Sequence, residues 1–424
     1  MHLVEIIKKD DFKNSERASL ISDNETRQLV SEIVFNVIEK GDQGVVEYTR
    51  KFDKVNVSQS RVPESKILVA ENQIDPQTKA IFETAIENIK AFHKHQIQTE
   101  WANIDKDGTR LGELVRPMDR AGIYVPGGRA FYPSSMIMNA IPALLAGVSS
   151  IAVASPPDKD GYPHQLVLGI CAMLGINEVY AMGGAQAIAA LAYGTETIQP
   201  VCKITGPGNK YVAEAKRQVY GKVGIDSIAG PSEILILHDV PEIPVEFIVR
   251  DLISQAEHDE DAQSILITTV PETAKAVQKR LGELVPTLPR KEIIEKSLKN
   301  HGKIILVGNI EDGIEISNQI APEHLELLLI DESKIDCIKN AGAIFIGRWS
   351  TEPVGDYMAG PNHTIPTSGA ARFSSPLSVR DFQKYSSIIH YSKKRLINQG
   401  KQIARFAELE DLFGHAAAIT ERLK

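Results

Sequence analysis

Glu323 and His324 are neighbouring residues that could perform acid–base chemistry. They stand in the segment IAPEHLELLLI, at the mouth of a predicted strand. Adjacent side chains on an extended segment point to opposite faces, but at a strand entrance both can reach one cleft. An imidazole takes up a proton near neutral pH, and a carboxylate beside it can activate water. The pair is therefore a candidate general base and water activator, the alternative being a solvent-exposed pair without a catalytic role.

Five further residues have the side chains of a metal site. Gln255 and His258 stand three residues apart in DLISQAEH, which places both on one face of a helix. Asp356 and His363 lie in VGDYMAGPNHT, a Gly/Pro-rich loop directly after a predicted strand, where α/β domains build their sites, and His415 lies in EDLFGH. A set of imidazole, carboxylate and amide oxygen without thiolate suits a zinc ion left open to substrate. Because the residues are scattered and glutamine is an unusual ligand, unrelated solvated side chains remain the alternative.

Three glycine-rich loops follow predicted strands: VPGG at 125–128, GGAQ at 183–186 and GPGN at 206–209. Backbone amides at such turns can bind phosphate, helped by the N-terminus of the next helix. None matches the pattern G-x-G-x-x-G, because Tyr211 occupies the third small position of the last loop. Ordinary tight turns are the alternative for each loop. Three of them in one part of the chain make that part the candidate for binding a cofactor.

A series of strands that begins near residue 122 must position these residues. Short β-branched runs alternate there with helix-length segments, which predicts parallel sheets with helices on both faces. The predicted strands are IYV, SIAVA, EVYAM, VCKITG, EILILH, SILITT, KIILVG, HLELLLI and AGAIFIG. A turn at Ala229-Gly230-Pro231 divides the series into two sets. The predicted fold class is α/β, with two doubly wound, Rossmann-like parallel-sheet domains, a helical N-terminal region and a helical C-terminal arm.

This pattern predicts a chain of five parts. The order is an N-terminal segment (1–20), a helical region that packs with the second α/β domain (21–120), the first α/β domain on the cofactor side (121–229), the second α/β domain on the metal and catalytic side (230–376) and the C-terminal helical arm (377–424).

The composition excludes several classes of protein. With 47 Lys and Arg against 55 Asp and Glu, the net charge is −8, and no basic run stands out, which argues against a nucleic-acid partner. A hydrophobic share of 43% is that of a globular enzyme rather than a disordered or fibrous protein. The three cysteines lie far apart, so we expect no disulfide framework and a reducing cytoplasm. The charged N-terminus lacks a signal-peptide core, and no apolar stretch is long enough for a membrane span.

Taken together, eight stretches of the chain resemble the histidinol dehydrogenase family. They are GIYVPGG, GGAQAIAALAYGT, GPGNKYVAEAKRQV, AGPSEILI, DLISQAEH, APEHLEL, GDYMAGPNHTIPTSGAARFSSPLSV and ELEDLFGH. Their order and separations are those of the family, and the first hundred residues are similar to it in length and helical texture. The chain departs from the family pattern at residues 259–261, Asp-Glu-Asp where Gly-Pro-Asp is common, and at Asp411, where Gly is common.

The resemblance implies a cytoplasmic homodimer with shared active sites. Such an enzyme oxidises L-histidinol through L-histidinal to L-histidine, the last steps of histidine biosynthesis, with two molecules of NAD and one zinc ion per subunit. The resemblance implies that Glu323 and His324 are catalytic and that Tyr124, Gln186 and Asn209 bind NAD. It implies four zinc ligands, Gln255, His258, Asp356 and His415, of which the C-terminal arm supplies His415 across the dimer. The implied substrate contacts are Ser232, His363 and Glu410, together with the zinc ligands and His324.

Three other functions would use part of this residue set. A paralogous zinc- and NAD-dependent dehydrogenase of another small alcohol, such as a sulfonated diol, would keep the fold but change the contacts on the imidazole side, where His363 and Glu410 are both present. A zinc hydrolase could use the same metal and acid–base residues, but it would leave the glycine-rich loops without a role and form no NADH. A non-catalytic α/β binding protein would not need Glu323 and His324 together.

Overall fold

The computed structural model describes residues 3–13, 23–127, 132–228 and 230–424. Gly128 of the first glycine-rich loop and Ala229 of the turn between the two predicted sets of strands lie outside the described residues. The strands form two parallel sheets, of five and six strands, and one antiparallel sheet of three strands. Among the described residues, no helix is both long and apolar enough to cross a membrane.

The N-terminal region contains strands as well as helices. Its elements are β1 (Glu5–Lys8), α1 (Asn24–Lys40), α2 (Asp42–Phe52), α3 (Glu64–Asn72), α4 (Pro76–His93), β2 (Trp101–Ile104) and β3 (Arg110–Pro117). Asp23 and Asp75 accept hydrogen bonds from the first-turn amides of α1 and α4, as N-cap residues do. The helical texture predicted for residues 21–120 is therefore confirmed only as far as α4.

The first parallel sheet follows directly. Its elements are β4 (Arg120–Tyr124), α5 (Pro133–Ala146), β5 (Ser150–Ser155), α6 (Gln165–Met173), β6 (Val179–Ala181), α7 (Gly184–Tyr193), β7 (Lys203–Thr205), α8 (Lys210–Val219) and β8 (Gly224–Ile225). The strand order is β6-β5-β4-β7-β8. The order therefore reverses between β4 and β7, where doubly wound sheets leave a crevice for ligands.

The second parallel sheet has the same winding. Its elements are β9 (Glu233–His238), α9 (Val245–Ala256), β10 (Gln263–Thr268), α10 (Pro271–Leu284), α11 (Lys291–His301), β11 (Lys303–Leu306), α12 (Ile310–Ile320), β12 (His324–Leu328), β13 (Ala343–Ile346) and α13 (Glu352–Tyr357). The strand order is β1-β11-β10-β9-β12-β13. Apart from the added β1, the two sheets have one topology, although no repeat is visible in the sequence. All nine predicted strands are confirmed, and so is the predicted fold class.

The C-terminal arm begins with a strand. Its elements are β14 (Gln383–His390), α14 (Lys393–Leu409) and α15 (Phe413–Thr420). β14 pairs antiparallel with β3, which also pairs with β2. The predicted helical arm therefore also contains a strand, β14, which the sequence did not predict. Its residues are mostly exposed and have no clean apolar alternation, so the strand depends on pairing with a distant part of the chain.

Helices α1 to α4 pack against the first parallel sheet. α1 and α2 contact α7, α3 contacts α6, and α4 contacts α5. Val30, Ile33 and Val37 of α1 share a core cluster with Ile188 and Leu191 of α7. The sequence predicted packing of this region with the second α/β domain, and α4 makes such a contact, since the Asn88 side chain donates to the Met358 carbonyl (2.9 Å). An apolar stripe on a helix predicts that the helix is buried, but it does not specify the surface that buries it.

Alternate residues of the central strands enter different cores. Ile234 and Ile236 of β9 face one apolar cluster of the second sheet, whereas Leu235 and Leu237 face the other. Every residue of β9 is buried, because helices cover both faces of the sheet. Chemistry is therefore possible only at the ends of the strands, where polar side chains can reach solvent or a ligand.

Candidate metal and acid–base site

The candidate site lies at the amino ends of the strands in the second sheet. β9 begins at Glu233, and its neighbour β12 begins at His324. α9 leads back from β9 to the start of the parallel strand β10, so Gln255 at its end lies on this side of the sheet. Asp356 is in helix α13, not in the loop that the sequence predicted directly after β13, and α13 returns the chain to the same side. The site is thus opposite the carboxyl ends that bind ligands in most such sheets.

His258, Glu352 and Asp356 form a group that could hold a metal ion. One ligand atom from each residue lies within 4.8 Å of the other two. Glu352 and Asp356 are four residues apart on α13, so both project from one face of the helix. Glu352 was not predicted, although its spacing from Asp356 is a signal that the sequence contains. Burial, together with the charges of Asp356 and Asp251, raises the pKa of Glu352 to about 9.

Gln255 supplies an amide oxygen in the same part of the site. The residue is 1% exposed, and its Oε1 atom has no hydrogen-bond partner among the described residues. A buried amide oxygen without a partner costs free energy unless a cation or a donor binds it. Nitrogen from His258, oxygen from the carboxylates and this unpaired oxygen make a donor set that zinc accepts. The residues present therefore fit a zinc ion.

Glu323 and His324 both bind the backbone of Glu233. Glu323 Oε2 accepts a hydrogen bond from the Glu233 N–H (2.8 Å), and His324 Nδ1 lies 2.9 Å from the Glu233 carbonyl oxygen. A carbonyl can only accept, so Nδ1 carries the proton and Nε2 has the lone pair. The two side chains are 3.6 Å apart, and Nε2 lies 3.9 Å from Oε1 of Glu352. The structure thus brings the predicted acid–base pair together beside the metal group.

Burial changes the acidity of both members of the pair. Burial raises the pKa of Glu323 well above its usual range. The hydrogen bond from the Glu233 N–H lowers this pKa, whereas the negative charges of Glu233, Asp356 and Glu352 raise it further. Burial also lowers the pKa of His324 to about 4, so the imidazole is neutral near pH 7. A neutral imidazole can accept a proton, and a carboxylate with a raised pKa binds a proton more tightly than a solvated one.

His363 extends the site towards the first sheet. Its Nδ1 lies 3.6 Å from Oδ1 of Asp356, and its Nε2 lies 3.5 Å from the Ser135 hydroxyl at the start of α5. Burial alone would raise the pKa of Asp356, but the contact with His363 keeps it below the usual value. The amino ends of the second sheet therefore face the carboxyl end of β4, which α5 follows.

A cavity of about 310 Å³ opens beside this group. Ile81, Ala85 and Ile137 from α4 and α5 form part of an apolar wall, and His258 and Asp356 lie on the other side. A pocket with one apolar wall and a few converging polar groups is suited to a small molecule.

A second cleft, of about 500 Å³, lies at the carboxyl ends of the first sheet. It is lined by the three residues expected to bind NAD, Tyr124, Gln186 and Asn209, and by glycines of the loops after β4 and β6. Gln186 is 1% exposed and its Oε1 atom, like that of Gln255, has no hydrogen-bond partner among the described residues. The structure thus brings these residues together at the crevice between β4 and β7.

The polar groups of the cleft have defined orientations. The Tyr124 phenol oxygen accepts a hydrogen bond from the Gly184 N–H (3.1 Å), which leaves its own O–H able to donate, and burial raises the pKa of Tyr124 to about 12. The Asn209 side chain caps α8 by accepting from the amides of Tyr211 and Val212. A capped helix N-terminus at the carboxyl end of a strand is suited to a phosphate group.

Glu410 and His415 are not in the metal group formed by the described residues of this chain. Both are exposed, and α14 and α15 pack mainly against each other. Asp411, between them, has φ +59°, the left-handed conformation that favours glycine and that aspartate tolerates. Ser232 directly precedes Glu233 at the amino end of β9, so it lies at the edge of the site.

Comparison with known proteins places this geometry in context. The sequence profile of the family described as histidinol dehydrogenase matches residues 16–423. The chain is 52% identical to histidinol dehydrogenase from Bacillus licheniformis over 399 residues, which are 94% of this chain and 93% of that protein. It is 51% identical to the Bacillus subtilis protein of the same name, over the same shares of the two chains. Its structure is similar to that of histidinol dehydrogenase from Elizabethkingia anophelis, with a TM-score of 0.93, 35% identity and coverage of 100% of this chain and 98% of that one.

Proposed function

The chain belongs to the histidinol dehydrogenase family, and we propose that it oxidises L-histidinol through L-histidinal to L-histidine with two molecules of NAD. It is an oxidoreductase of histidine biosynthesis. The observation that carries the proposal is the joint attachment of Glu323 and His324 to the Glu233 backbone, beside the group of His258, Glu352 and Asp356.

His324 is the proposed general base. Its Nδ1 proton is held by the Glu233 carbonyl, so Nε2 is the atom that would take the hydroxyl proton of the alcohol in the first oxidation. Burial keeps this imidazole neutral and therefore able to accept a proton at neutral pH. The same nitrogen would take the hydroxyl proton of the hydrated aldehyde in the second oxidation.

Glu323 is the proposed activator of water. An aldehyde must be hydrated before a second hydride can leave, and hydration needs a base that removes a proton from water. Burial raises the pKa of Glu323, and a carboxylate with a raised pKa is a stronger base towards water than a solvated one. The hydrogen bond from the Glu233 N–H holds its Oε2, which leaves Oε1 to face the water.

Gln255, His258 and Asp356 are the proposed zinc ligands of one chain, with His415 from the second subunit as the fourth. The bound ion would supply a Lewis-acidic template for the nitrogen atoms of the substrate. His363, 3.6 Å from Asp356, and Ser232 at the start of β9 would contact the substrate from this chain. Glu410 would contact it from the second subunit.

Tyr124, Gln186 and Asn209 are the proposed NAD contacts. NAD would accept the hydride, and this chain's residues would orient it. The unpartnered Gln186 Oε1 could accept from the carboxamide or a hydroxyl group, and the N-terminus of α8 could bind a phosphate. Residues 121–229 would then carry the cofactor, and residues 230–376 the metal and acid–base groups.

We propose a homodimer in which residues 377–424 complete the partner's site. Phe406, Leu409 and Phe413 on this arm are each about two-thirds exposed, at 66%, 65% and 66%. Apolar side chains grouped on one arm are typical of a surface that another chain covers. Glu410 and His415 lie in the same stretch, so docking of the arm would deliver both. The dispersed free cysteines fit a cytoplasmic location.

The stoichiometry of the reaction tests the proposed function. Purified protein with zinc, NAD and L-histidinol should form two NADH and one histidine per histidinol, with little free aldehyde. A ratio of one with accumulating aldehyde would contradict the two-step reaction. Preferential oxidation of a sulfonated diol would indicate a paralogous dehydrogenase, and hydrolysis without NADH would indicate a zinc hydrolase.

A further inference from the structure

The N-terminal helices form one wall of the dinucleotide cleft. Leu29 and Ile33 of α1 and Phe52 at the end of α2 line the cleft opposite the residues of the first sheet. Asp53, which follows α2, lines it beside them. This part of the chain contains none of the glycine-rich loops, so no sequence pattern indicated that it contributes to a site.

Asp53 is half-buried, and one of its carboxylate oxygens has no partner among the described residues. Its Oδ2 atom is inaccessible to solvent and has no hydrogen bond among the described residues, and no basic side chain forms an ion pair with it there. Burial alone raises the pKa of Asp53 to about 6. A carboxylate oxygen that is buried without a donor costs free energy, and none of the described residues donates to Oδ2. Hydroxyl donors from a ligand would offset the cost.

The residues around Asp53 indicate which part of the dinucleotide it would contact. The three apolar side chains next to it suit an adenine ring, and the ribose joined to that ring carries two hydroxyl donors. The nicotinamide must lie towards the metal group. Gly127 lines the cleft, and Tyr132, five residues later, lines the cavity that contains His258. Asp53 lines the cleft beside the three apolar side chains and does not line that cavity, which fits the adenosine end.

We propose that Asp53 binds the hydroxyl groups of the adenosine ribose and makes the cleft selective for NAD over NADP. This inference rests on the proposed function. In dinucleotide-binding sheets an acidic residue often binds the ribose, and it repels a 2′-phosphate by its charge. Here the acid comes from a helix outside the sheet instead of from the end of a strand. Asp53 is thus a specificity-determining residue.

Calorimetric binding of NAD, NADP and dinucleotides that lack one adenosine hydroxyl tests the inference, with zinc-loaded protein and no histidinol. Asp53→Ala removes the hydrogen-bond acceptor, so the affinity for NAD should fall about tenfold. The variant should then bind NAD and the dinucleotides that lack an adenosine hydroxyl group with equal affinity. Asp53→Asn keeps an acceptor but removes the charge, so the preference for NAD over NADP should fall about tenfold with a smaller loss of NAD affinity. Zinc content should stay at the wild-type level in both variants.

Asp158 is the competing acidic residue, because it also lines the cleft but has no oxygen among the buried atoms without a partner. Asp158→Asn should leave the NAD to NADP preference unchanged. The inference is overturned if the Asp53 variants still bind the dinucleotides that lack a hydroxyl group more weakly than NAD. It is also overturned if Asp158→Asn, and not the Asp53 variants, changes the preference for NAD over NADP. A third contrary result would be that the affinity of the Asp53 variants differs from that of the wild type only for a dinucleotide with hypoxanthine in place of adenine. If the wild-type protein binds no NAD, the proposed function fails as well, whereas wild-type binding with unchanged Asp53 variants defeats this inference alone.

Discussion

Gln255 and Gln186 are both 1% exposed, and both have an Oε1 atom without a partner. Methionine has a similar length and removes the unpaired oxygen. We expect Gln255→Met to lower zinc affinity at least about tenfold without lowering the melting temperature of the metal-free protein, because a buried oxygen without a partner destabilises the fold. Gln186→Met should weaken NAD binding by a similar factor and leave the affinity for zinc unchanged. Metal analysis, calorimetry with NAD and thermal unfolding measure these effects.

Each glutamine variant is the control for the other. Loss of zinc in both variants, or loss of NAD binding in both, would mean that the substitutions act through general destabilisation. A melting temperature that falls by several degrees in the metal-free Gln255→Met protein would show that Oε1 has a partner in solution.

Glu323→Gln tests the proposed water activator. The amide can still accept the Glu233 N–H, so the fold should persist, but it cannot take a proton from water. General acid–base groups typically contribute about 10²–10⁴-fold, so the second oxidation should slow by at least tenfold, more than the first, and histidinal should accumulate. Single-turnover NADH formation and aldehyde trapping separate the two steps. The exposed residue Glu332 supplies the control, Glu332→Gln, which should behave as wild type. Equal slowing of both steps would contradict the assignment.

The turn between β7 and α8 is the element that positions Asn209. Gly206 has φ +117°, and a Cβ atom there would lie 1.9 Å from the Tyr124 carbonyl oxygen. The Gly206 N–H donates to Asp226 (2.8 Å), and Lys216 donates to the Gly206 carbonyl. The buried Lys216–Asp226 ion pair therefore holds this turn against the end of β4.

We expect Gly206→Ala to displace the turn and weaken NAD binding at least about tenfold, since misplaced binding groups lose their contacts. Gly221→Ala is the matched control, because Gly221 has φ +100° but no atom within 4 Å of the added carbon. It should cost only the left-handed backbone strain, about 1–2 kcal/mol, without affecting NAD affinity. Calorimetry and thermal unfolding compare the two variants. Equal losses of NAD affinity would show that strain, not the clash at Tyr124, is responsible.

The proposed dimer predicts that two inactive variants should restore each other's activity when they pair. His258→Ala and His415→Ala homodimers should each lose zinc and activity. If His415 binds the zinc ion of the partner subunit, both substitutions in a mixed dimer affect the same site. The other site then keeps every ligand. Random pairing makes about half the dimers mixed, so roughly a quarter of wild-type activity should return after joint refolding.

The control for the mixed dimers is the separately refolded parent proteins, which should stay inactive. Mass spectrometry verifies that mixed dimers are present. If His415 served its own subunit, every site would carry one lesion. Mixed dimers without recovered activity would therefore refute a ligand shared across the dimer.

Sequence patterns predicted nine of the eleven strands in the two parallel sheets, all except β1 and β8. Nine β-branched runs predicted nine strands, because a strand buried between two layers of helices must be apolar along its length. The sequence also determined which residues share a helix face, as Gln255 and His258 do, since that depends only on local spacing. The strand β14 could not be predicted in this way, because it is exposed and depends on pairing with β3.

The position of the site, and the residues that complete it, depend on the tertiary structure. Glu233 and Glu323 are 90 residues apart, and they meet because β9 and β12 are neighbours in the sheet. That pairing fixes the His324 tautomer through a backbone carbonyl, which no side-chain pattern could indicate. It also places the acid–base pair at the amino ends of the strands, next to Glu352. Local periodicity reports whether a segment is buried, but the order of strands in the sheet determines which strand ends come together, and this order depends on contacts between distant parts of the chain.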